Sequence, residues 1–459
     1  MTPFRIPSIA SRRSLLPLMV LLLAFTASSA HAQSRQIPAP PQTEPILIHS
    51  ATIHPVAGDV IEKGWILFRD GRIDRLAEGP MPPIRGARII NAEGLHIYPG
   101  LISSDTQLGL TETASVGVTV DTSEFGDMTP EVRAAVAVNP DSDLIPVTRS
   151  NGILTALTLP LSGTISGRGA IIRLDGWTWE DLAIEIEAPL VINWPRTEPI
   201  TAAWMDRPLA QQRREIAESL KRIDDFFNDA EVYFRAKDND PAVRTDLKFE
   251  ALRDAISCKC GIFVRAASAG QIESAVAWAG RRGIPITILG GQEADRAIDI
   301  LKRHDVPVII SGTHRLPGSR HDAYDRPFRL PGVLHEAGVR FAIASGAETA
   351  HERQLNHNAA TAAAYGLPKE IALRAVTLSA AEILGIGDLL GSLEPGKLAT
   401  MIITTGDPLE ITTDVLAAFI EGRRIDMGDR QKMLYRKYQE KYHQLDMLSE
   451  IDEPVRPLD

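Results

Sequence analysis

Cysteine, aromatic residues and positive charge are all scarce in this chain, and each shortage rules something out. Cys258 and Cys260 are the only two cysteines in 459 residues. A single residue between them would leave a strained ring, so no structural disulfide is expected, and the pair reads as two ordinary thiols on a strand. Without a disulfide framework the fold must rest on its apolar core, which a chain of this length can build. Acidic residues outnumber basic ones, 59 to 49, for a net charge of −10. A nucleic acid or an anionic membrane surface would call for a basic face, so neither is expected as a partner. No apolar run reaches the ~20 residues of a stable membrane span. The Gly-x-Ser-x-Gly elbow of a serine hydrolase is missing too, since Ser162-Gly163-Thr164 and Ser345-Gly346-Ala347 do not supply it.

What is present begins with a leader. Arg5, Arg12 and Arg13 precede the apolar run Leu15 to Phe25, and small residues follow to Ala30-His31-Ala32. This is the pattern of a secretory signal peptide over residues 1–32, cut after Ala32, so the protein is expected to be exported, periplasmic or extracellular. Ser11-Arg12-Arg13-Ser14 is similar to a twin-arginine signal, while the Leu-rich core suits the general route equally; the export route stays open. Residues 33–44, with Pro38, Pro40 and Pro41, read as an extended linker. From Ile46 the pattern changes to short apolar runs broken by turns, among them Gly64 to Phe68 and Ile73 to Leu76 around Asp70-Gly71. Asp-Gly between alternating runs signals a β-hairpin, and residues 45–98 read as a small β-domain.

Beyond it, buried-strand patterns alternate with helical ones. Leu101-Ile102, Gly152 to Leu157, Thr164 to Ile172, Ile262 to Ala266, Ile284 to Leu289, Val306 to Ile310 and Val339 to Ala344 read as strands. Helical spacing lies at Gln211–Asp225, Gln271–Arg282, Gln292–His304, Ala323–Ala337 and Ile371–Leu384. Such βαβ repetition predicts an α/β fold with a parallel barrel. Trp177-Thr178-Trp179 is expected to cap a hairpin or cover the barrel mouth, and the tail from Arg430 to form a surface helix.

Two stretches carry a family resemblance. Tyr98-Pro99-Gly100-Leu101-Ile102-Ser103-Ser104-Asp105-Thr106-Gln107 resembles the first barrel strand of the metal-dependent amidohydrolases, close to the imidazolonepropionase-like branch, where the run is Pro-Gly-Leu-Ile-Asp-x-His-x-His. Gly391-Ser392-Leu393-Glu394-Pro395-Gly396-Lys397-Leu398-Ala399-Thr400 is similar to the Gly-x-Leu-x-x-Gly-x-x-Ala-Asp segment after that family's barrel. The resemblance implies a (β/α)8 TIM-like barrel over residues 99–387, with a composite β-sandwich from residues 45–98 and 388–426 and a helical tail over 427–459. It also implies a divalent metal such as zinc, held by paired His after strand one, His after strands five and six, and Asp after strand eight.

At those places stand Asp105 and Gln107, Arg265, Gly290-Gly291, and Ser345-Gly346. No lysine ends a recognisable fourth strand. One carboxylate beside a neutral amide makes no zinc site, and Arg265 would repel a cation; the two residues could instead form an ion pair filling the volume of a metal. The expectation is therefore a barrel without metal or other cofactor, whose pocket candidates are Asp105, Gln107, Arg265, Ser268, His314, Ser345, Glu348 and His351. His314 is the best catalytic candidate; His351 and His357 could share a cation in a loop but not on a helix. Two functions follow: a non-catalytic binder of a small molecule or a protein, with Arg265 as anchor for an acidic ligand, or a hydrolase of carbon–nitrogen bonds such as cyclic amides working through a rearranged site.

Overall fold

The structure, a computed structural model, describes residues 36–257, 259–346 and 348–445; the segment read as a signal peptide, residues 1–32, lies outside the described residues, as does Cys258. Cys260 sits in a bend ahead of its strand rather than on it. The chain enters a sheet through β1 (Ile46–Ile53), β2 (Ile61–Arg69), β3 (Arg72–Glu78), β4 (Arg88–Asn91) and β5 (His96–Pro99). Asp70 and Gly71 join β2 to β3 with φ of 51° and 76°, the left-handed pair that a two-residue hairpin turn demands and that Asp-Gly supplies cheaply.

The barrel follows as β6 (Leu101–Thr106), β7 (Ile153–Thr158), β8 (Ile165–Arg168), β9 (Ala170–Arg173), β10 (Ala183–Glu185), β11 (Leu190–Asn193), β12 (Ile262–Ala266), β13 (Ile286–Gly290), β14 (Val308–Ile310) and β15 (Phe341–Ile343). β6 runs parallel to β7, and β11 to β15 form a parallel series. The third position departs from the parallel expectation. There a ribbon of β8 and β9 lies antiparallel to both neighbours, β9 on β7 and β8 on β11. Only Leu159–Thr164 separate β7 from β8, too few for the dozen or so residues of a parallel crossover, so the chain returns as a hairpin. Trp177 therefore lies in the β9–β10 connection at the amino-terminal side of the barrel, 63% exposed, and does not cover the mouth.

β6 and β15, the first and last barrel strands, touch without sharing a hydrogen-bonded ladder, which leaves a seam. Side chains such as Ile102, Leu157, Val191, Phe263, Leu289 and Ile309 fill the barrel interior, and Leu384, Ile386 and Leu390 plug its floor. The interior is a packed core, so open space for a ligand exists only above it, at the carboxyl ends of the strands.

β16 (Met401–Thr404), β17 (Val415–Ile420) and β18 (Arg423–Arg424) then rejoin the first strands, β16 lying antiparallel on β5. Both ends of the chain thus build one eight-stranded sheet. In place of two separate facing layers, this sheet rolls until Ile73 exchanges backbone hydrogen bonds with Lys397 and Gly396, enclosing Phe68, Ile97, Met401 and Phe419.

Three helical stretches differ from the predicted spacing. The one expected over Gln292–His304 is a 3-10 turn, Ala294–Arg296, followed by a short helix, Ile298–Arg303. Leu209–Asn239 runs well past Asp225, with Ile223, Phe227, Ala230 and Phe234 forming one buried stripe beneath an otherwise charged surface. The stretch predicted as one helix from Ile371 is two short ones, Lys369–Ala375 and Leu378–Ile383, broken at Val376-Thr377. The break brings the Val376 carbonyl to the backbone N–H of Ile102 on β6. The tail forms a helix over Arg430–Gln444.

Candidate binding site at the barrel mouth

The mouth is shaped first by an irregularity in β6. Against β7, Ser103 pairs with Ala156 and Thr106 with Thr158, so β6 carries one residue more than its partner over this step. Such a bulge breaks the alternation of side chains. Asp105 turns toward Arg265, while Ser103 and Thr106 face the segment after β15.

Arg265 lies two positions beyond the interior residue Phe263 on β12 and so shares its face and projects into the mouth. Its two terminal nitrogens donate to both Asp105 carboxylate oxygens at 2.9 and 3.0 Å, a fork-to-fork pair. The Asp105 side chain is 6% exposed and that of Arg265 26%. The Ser311 hydroxyl adds a long contact to Asp105 at 3.4 Å. Burial alone would pull the Arg265 guanidinium down, but the facing carboxylate outweighs it and holds the group above its ordinary range. Both terminal nitrogens of Arg265 are thereby committed to Asp105, with only its buried Nε left unpartnered, so the residue does not present a free fork to an acidic ligand.

Glycine at the end of β13 is enforced by the backbone. Gly291 has a φ of 55°, and a Cβ there would stand 2.4 Å from Val308 Cγ1. Among the described residues no group of three His, Cys, Asp or Glu side chains converges to hold a metal ion. A carboxylate shared with a guanidinium, a buried amide at Gln107 and two glycines do not make the nitrogen, oxygen or sulfur cage that zinc takes.

The other candidates separate. Ser268 caps the helix Ala269–Arg282, accepting from the Gln271 backbone, and lines a pocket of about 190 Å³ beside the mouth together with Glu293, Arg315 and Arg326. His314 is on the exposed rim, bonded to Thr361 at 2.8 Å; burial, and then His357 nearby, lower its pKa. Glu348 and His351 pair with each other at 3.3 Å and are solvent-exposed. His351 lies in a 3-10 turn and His357 in the helix Leu355–Ala364, so the two do not meet in one loop. Ser345 joins the site in another way, through Glu352.

Glu352 is completely buried. It is in the turn Thr349–Gln354 after β15, and neither carboxylate oxygen has a hydrogen-bond partner. The Ser103, Thr106 and Ser345 hydroxyls are close enough to favour its charged form, yet none meets it in hydrogen-bonding geometry. Burial dominates and pushes the carboxyl up to about 7, with Asp105 adding repulsion. In sequence, His351-Glu352-Arg353 looks like a solvated charged run, and nothing local signals its burial. Arg315 was hidden in the same way. Its guanidinium reaches the Gln292 carbonyl at 3.2 Å, and among the described residues no carboxylate forms an ion pair with it. Neighbouring Arg326 and Arg296 already take Asp295, Asp322 and Glu293.

A cavity of about 900 Å³ opens at the opposite, amino-terminal end of the barrel between Pro189, Gly261, Pro285, Pro307 and Glu382. It is remote from the strand ends where barrel chemistry is done.

Residues 251–426 match the model of the amidohydrolase family. Amidohydrolase tasK of Hapsidospora irregularis is 24% identical over 401 residues, 80% of this chain, and the chain spans only 39% of that protein's length. The fold matches the crystal structure of an amidohydrolase from Thermotoga maritima MSB8, with a TM-score of 0.72 at 23% identity over 83% of this chain and 99% of that one. A prolidase complexed with N-methylphosphonate-L-proline shares it more loosely, with a TM-score of 0.51 at 14% identity over 83% of this chain and 99% of that one.

Proposed function

We propose that this chain, an amidohydrolase-family protein by its fold and its matched segment, is an exported binder of a small molecule that works without the family's metal. One observation carries this reading: the bidentate Asp105–Arg265 pair occupies the mouth where a metal centre would sit. A guanidinium at that point opposes any incoming divalent cation, and Asp105 has no free oxygen to offer it. The export part rests on the sequence of residues 1–32 alone. A ligand would sit beside the pair in the pocket of Ser268, Glu293, Arg315 and Arg326. Arg315, which lacks an ion-pair partner among the described residues, takes over the anchoring role that the sequence suggested for Arg265, and it suits a ligand with a carboxylate or similar anionic group.

A second reading draws on Glu352. A carboxyl held near neutrality beside the mouth has the acidity of a general acid or base, so a C–N hydrolase with a rearranged site is the alternative. Thermal-shift titration with small mono- and dicarboxylic acids and with neutral cyclic amides separates the two. Binding predicts saturable stabilisation by an acid, lost in Arg315→Ala, with no turnover. Turnover of a cyclic amide that disappears in Glu352→Gln would instead establish the hydrolase.

A further inference from the structure

We infer that the buried oxygen cluster around Glu352 is a binding site for an alkali-metal cation, which bridges the unpaired seam between β6 and β15. The cluster gathers groups from both sides of that seam. Ser103 comes from β6, Ser345 follows β15, and Glu352 lies in the turn behind them. The Ser103 hydroxyl, the Ser345 hydroxyl and both Glu352 oxygens are buried and without hydrogen-bond partners. Buried polar atoms are nearly always satisfied, so this concentration at one place calls for something that accepts all of them at once.

The donor chemistry narrows what that is. Every group is an oxygen, which suits a hard cation and excludes the softer metals that seek imidazole or thiolate. Glu352 is the one uncompensated charge in the cluster, because neighbouring Asp105 is already neutralised by Arg265. One carboxylate with hydroxyl donors balances a single positive charge. A divalent ion would remain half-neutralised in a buried site, where uncompensated charge is costly. The position supplies a purpose as well: β6 and β15 share no ladder, and a cation held by Ser103, Ser345 and Glu352 ties together what backbone hydrogen bonds leave open.

The test is thermal unfolding of the full-chain protein at about pH 8.5 in sodium, potassium or choline chloride of equal ionic strength. The melting temperature of the wild type rises saturably with sodium or potassium relative to choline. Glu352→Gln abolishes that preference, and Ser103→Ala raises the half-saturating concentration several-fold. Identical melting in all three salts would overturn the site, as would a Glu352→Gln protein that keeps the preference. If Glu352→Gln does not fold, Ser103→Ala decides alone, and an unchanged half-saturation rejects the proposal.

Discussion

Arg265→Ala removes one half of the pair that closes the mouth and leaves Asp105 buried with only the long Ser311 contact. Breaking a buried pair from one side costs about 3–5 kcal/mol. Because the Arg265 side chain keeps 26% of its exposure, the low end of that range applies, about 3 kcal/mol. With an unfolding entropy of about 2.1 cal/mol/K per residue, a chain of this length shifts by roughly 1 °C per kcal/mol, so the melting temperature should fall by about 3 °C. The stronger test is a double-mutant cycle. Asp105→Leu combined with Arg265→Met replaces both charges with apolar groups, and buried pairs often tolerate such replacement with little loss. The double variant should therefore be more stable than Arg265→Met alone, with a coupling of about 2 kcal/mol in urea unfolding. Additivity within about 0.5 kcal/mol would mean that the two groups do not act as a pair, and the reasoning would fail.

Two titrations give further expectations. The folded carboxyl of Glu352 lies near 7 against 4.5 for the free group, so its contribution to stability is full below about pH 4.5 and lost as pH rises through 7. That loss amounts to about 3 kcal/mol at 1.36 kcal/mol per pH unit, and in choline salt Glu352→Gln should gain on the wild type by up to that amount above pH 7; parallel pH–stability curves would refute it. His54, stacked on Tyr98 and bonded to His96, is lowered to about 4, mainly by burial and then by His96. Its contribution is present above its unfolded value of 6.5 and is lost as pH falls toward 4, so His54→Phe should flatten the acid limb of the melting curve. If wild type and variant lose stability in step below pH 6.5, His54 is not the group responsible.

Most strands of this barrel are legible as short apolar runs bounded by glycine or proline, but β10 and β11 are not: Ala183–Glu185 and Leu190–Asn193 are only three and four residues long and carry too short a pattern to stand out. The reversed third strand was also present in the sequence, written in the short connection Leu159–Thr164 rather than in any residue preference. Asp105 and Arg265 could be named as partners since each ends a recognisable strand. Glu352 could not, because its burial is a property of the fold: His351 and Arg353 on either side have ordinary surface chemistry, and only the packing of β6 and β15 around the turn encloses the residue between them. Arg315 shows the same limit. Its importance comes from what Arg326 and Arg296 have already taken, and no local pattern records that. The two glycines at the end of β13 lie between these cases, since their presence is visible in sequence but the contact with Val308 that requires Gly291 is not.

The central claim, that the mouth works without a divalent metal, is tested most directly by elemental analysis of the purified full-length protein, expressed without chelators and dialysed against metal-free buffer. The account predicts far less than one zinc, iron, manganese or nickel per chain, and no change in melting temperature when zinc is added back. About one tightly held ion per chain, lost together with stability in Asp105→Ala, would contradict it.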